Sequence, residues 1–259
     1  AWFTFDTEEN EQIEVAVGVS FVSMENARQN LEAEQHGAGF DEIYASARKQ
    51  WNDDLGRIRV EGGTDAQKKV FYTGLYHALI HPNVLSDVNG EYPAMESAEI
   101  RTAEGNRYTV FSLWDTYRNL HQLMTLVYPE RQLEMVRSII GMYKEWGWLP
   151  KWELYGRETF TMEGDPAIPV IVDTWMKGLR DFDMDAAYEA MRKSATTPGS
   201  QNRMRPDIDP YVEKGYVPLG FYARDLSGDN SVSHALEYYI ADHALSLLAD
   251  SLGRREDAA

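Results

Sequence analysis

Cysteine is absent from the sequence, which excludes disulfide bonds, thiolate metal sites and cysteine nucleophiles. A basic run is absent as well: 25 Lys and Arg face 42 Asp and Glu, giving a formal net charge of -17. Such a surface offers no stripe for phosphates, so nucleic acid is not an expected partner, but it tolerates neutral ligands such as sugars. No apolar run approaches the roughly 20 residues of a transmembrane segment. Neither a glycine-rich phosphate loop nor a G-x-S-x-G elbow occurs, which leaves carboxylate chemistry.

The composition is that of a folded globular protein, with 43% hydrophobic and 26% charged residues. Apolar side chains alternate with small or polar ones over residues 13–21, which predicts a β-strand with one buried face. A strand needs neighbours, and two strands alone are marginal in water. We therefore expect residues 1–24 to be the last strands of a β-domain lying mostly upstream, in a chain cut at both ends from a longer protein.

From about residue 40 the apolar side chains recur at helical spacing. One stripe covers 40–55, and Thr64 and Gln67 have the spacing of a capping box before a helix that Pro82 terminates. Further helical patterns cover 113–127, 130–146, 166–180, 184–195 and 231–252. The chain is therefore predicted to be mainly α-helical.

Two long loops interrupt the helical patterns. The loop 83–110 is predicted to contain a short hairpin around Asn89 and Gly90, since this dipeptide favours a tight turn. The segment 197–230 is expected to be an irregular crossing. Loops of this length in a helical domain are usually functional.

Aromatic and acidic side chains cluster in two segments. "FSLWDTYR" places Asp115 and Arg118 on one helical face beside Trp114. "LPKWELYGRETFTMEGD", too punctuated for a helix, contains four more such residues: Trp152, Glu153, Glu158 and Glu163. Aromatic faces that stack on sugar rings, with carboxylates and Arg that bind hydroxyls, form carbohydrate subsites. The simpler alternative is that Trp114 is a core residue and that Asp115 complements the positive N-terminal end of a helix dipole. The pattern leaves both interpretations open.

Glu237 stands in "SVSHALEYYIADHAL", a helical stretch otherwise rich in alanine, leucine, isoleucine and tyrosine. Burial of a carboxylate without a partner is costly, because the charged form loses its water. A carboxyl group in apolar surroundings keeps its proton near neutral pH, which suits a general acid. The pattern predicts either that role for Glu237 or a side chain that turns outward to water, and surface glutamates are the commoner case.

Six ordered blocks span nearly the whole chain: "VSFVSMENARQNLEAE", "FYTGLYHALIHPNV", "FSLWDTYRNLHQLMTLVYPER", "GWLPKWELYGRETFTMEGDPAIPVIVDTWMKG", "GYVP" and "SVSHALEYYIADHALSLLADSLG". In this order they resemble the calcium-dependent exo-α-mannosidases of glycoside hydrolase family 92. The resemblance implies a mainly α fold: part of an (α/α)6 barrel preceded by the terminal strands of a β-sandwich domain and a helical linker. It implies the end of the sandwich at 1–30, the linker at 31–62 and the N-terminal, incomplete portion of the catalytic barrel at 63–259.

The resemblance also implies an activity, the inverting hydrolysis of terminal α-mannosidic linkages in mannose-containing glycans. A Ca2+ ion is expected to contact vicinal hydroxyls of the sugar, acting as a template and Lewis acid. The family's general acid is the glutamate of its "S-V-S-x-x-L-E-Y" block, which matches Glu237 here. By the same matching the remaining candidates are substrate-binding residues: Trp114, Asp115, Arg118 and, as weaker matches, Glu163 and Asp165 on either side of Gly164.

The chain departs from the family pattern at some positions. Ala241, Asp242 and His243 stand where an Asp-Asp-Trp run is common, and Ala235 stands where threonine is usual. These changes bear on the subsites and on linkage preference, while the matched acid is retained.

The family's catalytic base belongs to a "G-D-E-D-x-G-Q" block and its calcium region to a "Y-T-E-G-N" block, and neither occurs here. The chain is therefore interpreted as an internal fragment, inactive alone, whose base and calcium ligands lie in the remainder of the parent chain. Family members are exported, which implies a periplasmic, cell-surface or secreted location. Two alternatives remain: a non-catalytic carbohydrate-binding helical toroid, and another (α/α)6 glycosidase that needs no calcium.

Overall fold

The computed structural model describes residues 2–220 and 230–258, and this part of the chain is mainly helical. The helices are α1 (Met24–Gln35), α2 (Phe40–Leu55), α3 (Asp65–Ala78), α4 (Leu113–Thr116), α5 (Leu120–Val127), α6 (Pro129–Trp146), α7 (Ala167–Met176), α8 (Met184–Thr196), α9 (Ile208–Lys214), α10 (Ser231–Ser251) and α11 (Arg255–Ala258). The strands are β1 (Asn83–Val84), β2 (Glu91–Pro93), β3 (Ile100–Thr102), β4 (Tyr108–Thr109), β5 (Phe111–Ser112), β6 (Trp152–Leu154) and β7 (Arg157–Glu158).

Local signals define several helix ends. Thr64 Oγ1 accepts from Gln67 N at 3.2 Å and Gln67 Oε1 accepts from Thr64 N at 2.8 Å, so the predicted capping box at the start of α3 is confirmed. Pro129 begins α6, where its missing N–H costs no helical hydrogen bond. Gly147 ends that helix in a left-handed conformation with φ 89°.

The main core lies where α6, α7, α8 and α10 pack together. Its fully buried side chains include Ile139, Ile168, Tyr188 and Leu248, one from each of these helices. A smaller core joins α3 to α5 through Leu75 and Met124. Within residues 2–220 and 230–258, no helix combines the length and apolar character needed to cross a membrane.

Residues 13–21, predicted to be a strand of a domain lying mostly upstream, form no strand in the described part of the chain. Val15, Val17 and Val19 are two-thirds or more exposed there, and the segment has no ladder partner among residues 2–220 and 230–258. It lies instead along α1, where Asn30 Nδ2 donates to Val19 O at 2.8 Å. The alternating side chains alone do not make a strand, because the backbone N–H and C=O groups need a neighbouring strand to pair with.

The predicted helix 113–127 is divided into α4 and α5 by a turn at residues 117–119. Gln122 Nε2 donates to the carbonyl of Tyr117 at 2.7 Å, so a side chain satisfies a backbone group that an uninterrupted helix would bond internally. The irregular crossing expected at 197–230 contains α9 within its described residues, 197–220. Helix α9 ends at Gly215, whose φ is 76°.

The hairpin of the loop 83–110 lies beyond the predicted turn. Gly90, with φ 83°, closes a tight turn by donating to Asp87 O at 2.8 Å. The regular strand pair, however, is β2 with β3, joined through residues 94–99, while β1 pairs with β4. The dipeptide encodes the turn, but the strand pairing depends on contacts beyond it.

Glu145 of α6 fixes the loop 83–110 on the helical core. Its carboxylate accepts from Arg107 Nη2 at 2.9 Å, Tyr92 Oη at 2.8 Å and Met95 N at 2.7 Å. The side chains of Arg107 and Glu145 are 4% and 3% exposed. A buried guanidinium that loses its carboxylate is left without compensation, which is strongly destabilising.

We predict that Glu145→Ala lowers the free energy of unfolding by about 3–5 kcal/mol, because Arg107 stays buried without its partner. Equilibrium urea unfolding followed by tryptophan fluorescence measures the loss. Arg137→Ala is the control, since its pair with Asp181 is 41% and 86% exposed and should contribute at most about 1 kcal/mol. Equal losses in the two variants would contradict a stabilising role for the buried pair.

Candidate active site

Strand β5 runs directly into α4, so the segment from Trp114 to Arg118 begins at the edge of a small sheet. In this sheet β5 pairs with β6 and β6 with β7. Leu113 N also donates to Lys151 O at 3.3 Å, which holds the first turn of α4 against the strand opposite. Tyr117 and Arg118 follow in the turn before α5 and face α10.

Glu237 lies in the second turn of α10, where two side chains from the α4–α5 turn bind its carboxyl group. Tyr117 Oη donates to Oε2 and Arg118 Nη2 donates to Oε1, each at 2.7 Å. The Glu237 side chain is 12% exposed and the Arg118 side chain 43% exposed. The apolar setting expected for this carboxyl group is therefore wrong, because the fold brings a phenol and a guanidinium from another element over it.

The Arg118 guanidinium lies over two aromatic rings, 4.6 Å from the centre of Trp114 and 4.7 Å from that of Tyr117. This stacking limits the orientations of the planar group. Trp114 Nε1 is buried and has no hydrogen-bond partner in the part of the chain that the structure describes. Asp115 is exposed and accepts a hydrogen bond from Ser112 Oγ.

The charge of Glu237 shifts the ionisation of both partners. Burial, followed by the hydrogen bond and the charge of Glu237, raises the pKa of Tyr117 to about 12. Burial opposes the charge of Arg118, but the hydrogen bond and charge of Glu237, with smaller contributions from Tyr117 and Asp115, raise the pKa of this guanidinium. Near neutral pH Tyr117 is therefore a donor and Arg118 a cation. The structure thus brings together Trp114, Asp115, Arg118 and Glu237.

The loop between β7 and α7 approaches the stem of the Glu237 side chain. Phe160, Met162 and Gly164 have positive φ values of 56°, 66° and 78°. A Cβ atom placed on Gly164 would lie 2.4 Å from Cβ of Glu237. Glu163, 9% exposed, is next to this contact and is therefore adjacent to the group around Glu237.

Asp165 points into the interior instead. It is 1% exposed, and its Oδ2 accepts from Ser194 Oγ and, at 3.1 Å, from Arg205 Nε. Arg205 Nη1 in turn donates to Asp242 Oδ1 of α10 at 2.6 Å. The expectation that Asp165 binds sugar finds no support in this geometry, because the carboxylate is used to neutralise a buried guanidinium.

Glu153 and Glu158 of the strands β6 and β7 are also interior residues. Glu153 accepts from Thr109 Oγ1 at 2.7 Å and from Val110 N at 2.9 Å. Glu158 accepts from Lys151 N at 2.8 Å and from Phe160 N at 2.7 Å. Burial is the main cause that raises the pKa of each carboxyl group. These two glutamates bind backbone and define loop shape, and they do not face a sugar.

A buried polar chain beneath α4 has no counterpart in the sequence-based predictions. His121 Nδ1 lies 3.0 Å from Gln132 Oε1, and His121 Nε2 lies 3.1 Å from Thr116 Oγ1. Since a glutamine carbonyl oxygen only accepts, the neutral ring must carry its proton on Nδ1. Gln132 Nε2 donates to Thr174 Oγ1 at 2.8 Å. The chain thereby connects α4, α5, α6 and α7, and only the polar residues at helix-interior positions could have signalled it.

The described residues do not form a metal centre. Among residues 2–220 and 230–258, no group of three or more His, Asp or Glu side chains is arranged to hold a metal ion. Asp165 Oδ1 and Asp207 Oδ2 are buried without a hydrogen-bond partner in the described part. The neighbouring cations Lys151 and Arg205 supply the opposite charge there, so this position does not suit a calcium ion.

Comparison with known proteins adds family information to this geometry. Residues 26–259 match the model of the glycosyl hydrolase family 92 catalytic domain. The chain is similar to a family 92 inverting mannosidase of Bacteroides thetaiotaomicron, with 33% identity and a TM-score of 0.84 over 92% of this chain and 32% of that one. It is also similar to an α-mannosidase of the same organism, solved in complex with mannoimidazole, with 36% identity and a TM-score of 0.83 over 92% of this chain and 30% of that one.

A curated fungal relative is an uncharacterized secreted glycosidase of Arthroderma benhamiae. It is 26% identical over 255 residues, which cover 95% of this chain and 29% of the relative. The chain thus spans about 30% of the length of the relatives that it matches.

We predict that His121 makes stability fall with acidification between pH 6.5 and 4. Burial lowers the pKa of His121 from 6.5 to about 4 in the folded protein, so between these values the unfolded chain binds a proton that the folded chain does not. The contribution of His121 to the free energy of unfolding is therefore fully present above pH 6.5 and decreases by about 1.4 kcal/mol per pH unit between pH 6.5 and 4. Urea unfolding at several pH values measures this slope.

In His121→Gln the amide keeps a donor and an acceptor but does not titrate, so the variant should show a shallower slope than the wild type. His77→Gln, at an exposed histidine, is the control and should retain the wild-type slope. An unchanged slope in His121→Gln would show that this buried ring does not carry the pH dependence.

Proposed function

The chain belongs to glycosyl hydrolase family 92, and from this premise we propose that it is the acid-bearing part of an α-mannosidase acting on terminal α-mannosides of glycans. The observation that carries the proposal is the carboxyl group of Glu237, held at 12% exposure between Tyr117 and Arg118. The two Bacteroides relatives are described as an inverting mannosidase and an α-mannosidase bound to mannoimidazole, which supports the same substrate class.

Glu237 is proposed as the general acid. Both of its carboxyl oxygens accept hydrogen bonds, so one bond must open before Glu237 can donate a proton. Tyr117 is 7% exposed and keeps Oε2 in place, whereas the Arg118 side chain, 43% exposed, is free to leave Oε1 when a mannoside enters. The freed Oε1 takes up a proton from solvent and passes it to the leaving oxygen as the glycosidic bond breaks and a water molecule bonds to the anomeric carbon from the opposite face.

The aromatic and polar groups beside Glu237 are proposed to bind the sugar. Trp114 supplies an apolar face for the sugar ring, and Asp115 supplies an exposed carboxylate for hydroxyl groups. Arg118, once it leaves Glu237, is a donor for hydroxyls, and Glu163 lies next to the contact between Gly164 and Glu237. Asp165 is left out of this set, because it is 1% exposed and bound to Arg205.

The base of the inverting reaction is proposed to come from outside these residues. Inversion needs a second carboxylate that activates water on the opposite face of the sugar. Calcium dependence is likewise proposed for the parent enzyme, although the described residues do not fit the ion. If the calcium ligands lie elsewhere in the parent chain, chelation with EDTA should abolish turnover and leave the hydrogen bonds of Glu237 to Tyr117 and Arg118 unchanged.

The architecture proposed for the parent enzyme is a β-sandwich, a helical linker and an (α/α)6 barrel, with 1–30, 31–62 and 63–259 as the respective parts. Helix α10 exposes Leu236, Ile240 and Leu247 by 54%, 44% and 47%, and an apolar stripe of this kind favours burial against another element. We propose that the remainder of the parent chain covers it. An exported location, suggested by the secreted relative, belongs to the same proposal.

In the full-length parent, Glu237→Gln should lower kcat for methyl α-mannoside by about 10² to 10⁴, the usual value of general-acid assistance. The loss should be smaller with p-nitrophenyl α-mannoside, because a good leaving group needs less protonation. Steady-state kinetics on both substrates measure the difference.

Equal losses on the two substrates would remove Glu237 from the acid role. A parent that binds mannosides without turnover would instead favour a carbohydrate-binding toroid, and EDTA-resistant turnover would favour a calcium-independent (α/α)6 glycosidase.

A further inference from the structure

Gly164 makes the closest approach of the β7–α7 loop to α10. A Cβ atom on this residue would lie 2.4 Å from Cβ and 3.2 Å from Cγ of Glu237. Real Cβ atoms do not approach other heavy atoms so closely, and the φ of 78° is one that L side chains rarely adopt. Only glycine therefore permits this contact between the loop and the glutamate.

The loop cannot simply withdraw from α10. Asp165, the next residue, is held in the interior by Ser194 and by Arg205, and its pair with Arg205 is fully buried on both sides. Near the start of the loop, Phe160 N donates to Glu158 Oε1 at 2.7 Å. Because Asp165 is held in this way, a methyl group on residue 164 must displace the part of α10 that carries Glu237.

We propose that Gly164 is a positioning residue for Glu237. Its backbone packs against Cβ and Cγ of that side chain and keeps the carboxyl group within hydrogen-bond distance of Tyr117 and Arg118. Relief of the contact from 2.4 Å to an ordinary 3.4 Å requires a shift of about 1 Å, which can cost about 10²-fold in rate when a reacting group is misplaced. The kinetic part of this inference rests on the proposed function, but the contact itself does not.

The kinetic test uses Gly164→Ala in the full-length parent. A displaced acid should lower kcat for methyl α-mannoside by about 10²-fold and for p-nitrophenyl α-mannoside by less than about tenfold, with KM changed little. Gly178→Ala is the matched control: its φ is 90°, but a Cβ there would meet nothing within 4 Å. It carries the backbone strain without the contact, so the ratio of the two kcat values should stay at the wild-type value.

Equal loss on both substrates, or a Gly178→Ala variant with the same change in ratio, would overturn the positioning role. A merely structural effect of Gly164→Ala would lower the amount of active protein and leave the ratio unaltered.

A double-mutant cycle tests the contact without any activity. In Glu237→Gly the nearest remaining atom, Cα, would lie 3.6 Å from the new Cβ, an ordinary distance. Gly164→Ala should therefore lower Tm of the parent less in the Glu237→Gly background than in the wild type. The fall in Tm in that background should be about half of the wild-type fall or smaller. Equal shifts in the two backgrounds would show that Gly164 and Glu237 are not coupled. If the wild type hydrolyses no mannoside, the proposed function fails while this cycle still decides the contact.

Discussion

A buried guanidinium holds the site together. Arg205 is fully buried, and its bonds to Asp165 and Asp242 join the loop before α7 to α10. Burial opposes the charge, yet the two carboxylates raise the pKa of Arg205. Loss of one partner from such a buried pair costs about 3–5 kcal/mol, so neither element can move independently. Asn202 fixes the backbone of this arginine, because its Oδ1 accepts from Arg205 N at 2.8 Å. Gly164 stays in contact with Glu237 because Asp165, the next residue, is fixed by Arg205.

The second constraint is that polar groups inside the helical core must find partners. Lys151 is 2% exposed and donates to Met204 O at 3.2 Å, and burial lowers its pKa. His121 meets the same requirement through Gln132 and Thr116. The bonds of His121, continued from Gln132 to Thr174, join different helices and fix α4 relative to α6 and α7. The turn that carries Tyr117 and Arg118 is consequently held by buried hydrogen bonds, as the rigid site of the proposed function requires.

In the proposed mechanism, the contacts of Glu237 link its role as an acid to substrate binding. A carboxyl group surrounded by apolar side chains would hold its proton at rest, whereas one paired with Arg118 and Tyr117 has both oxygens engaged. Substrate entry and acid preparation are then linked, since the group that occupies Oε1 is the exposed Arg118. Arg118 also stacks on Trp114, so a sugar that binds on the tryptophan face competes for the same place. In the proposed mechanism, Glu237 is therefore ready to act as an acid only when a sugar occupies the site.

Helix positions followed from the sequence because their signals are local: the Thr64 capping box and the apolar periodicity of α6 act over a few residues. The resemblance likewise singled out Glu237 and Trp114 from contiguous blocks. Tertiary structure alone decided the rest. Tyr117 and Glu237 are 120 positions apart, and a residue's own neighbours in sequence cannot specify a partner at that distance. Asp165, one residue after Gly164, turned inward because Arg205 needed a counter-charge, and the alternating segment 13–21 formed no strand because no described strand lies beside it.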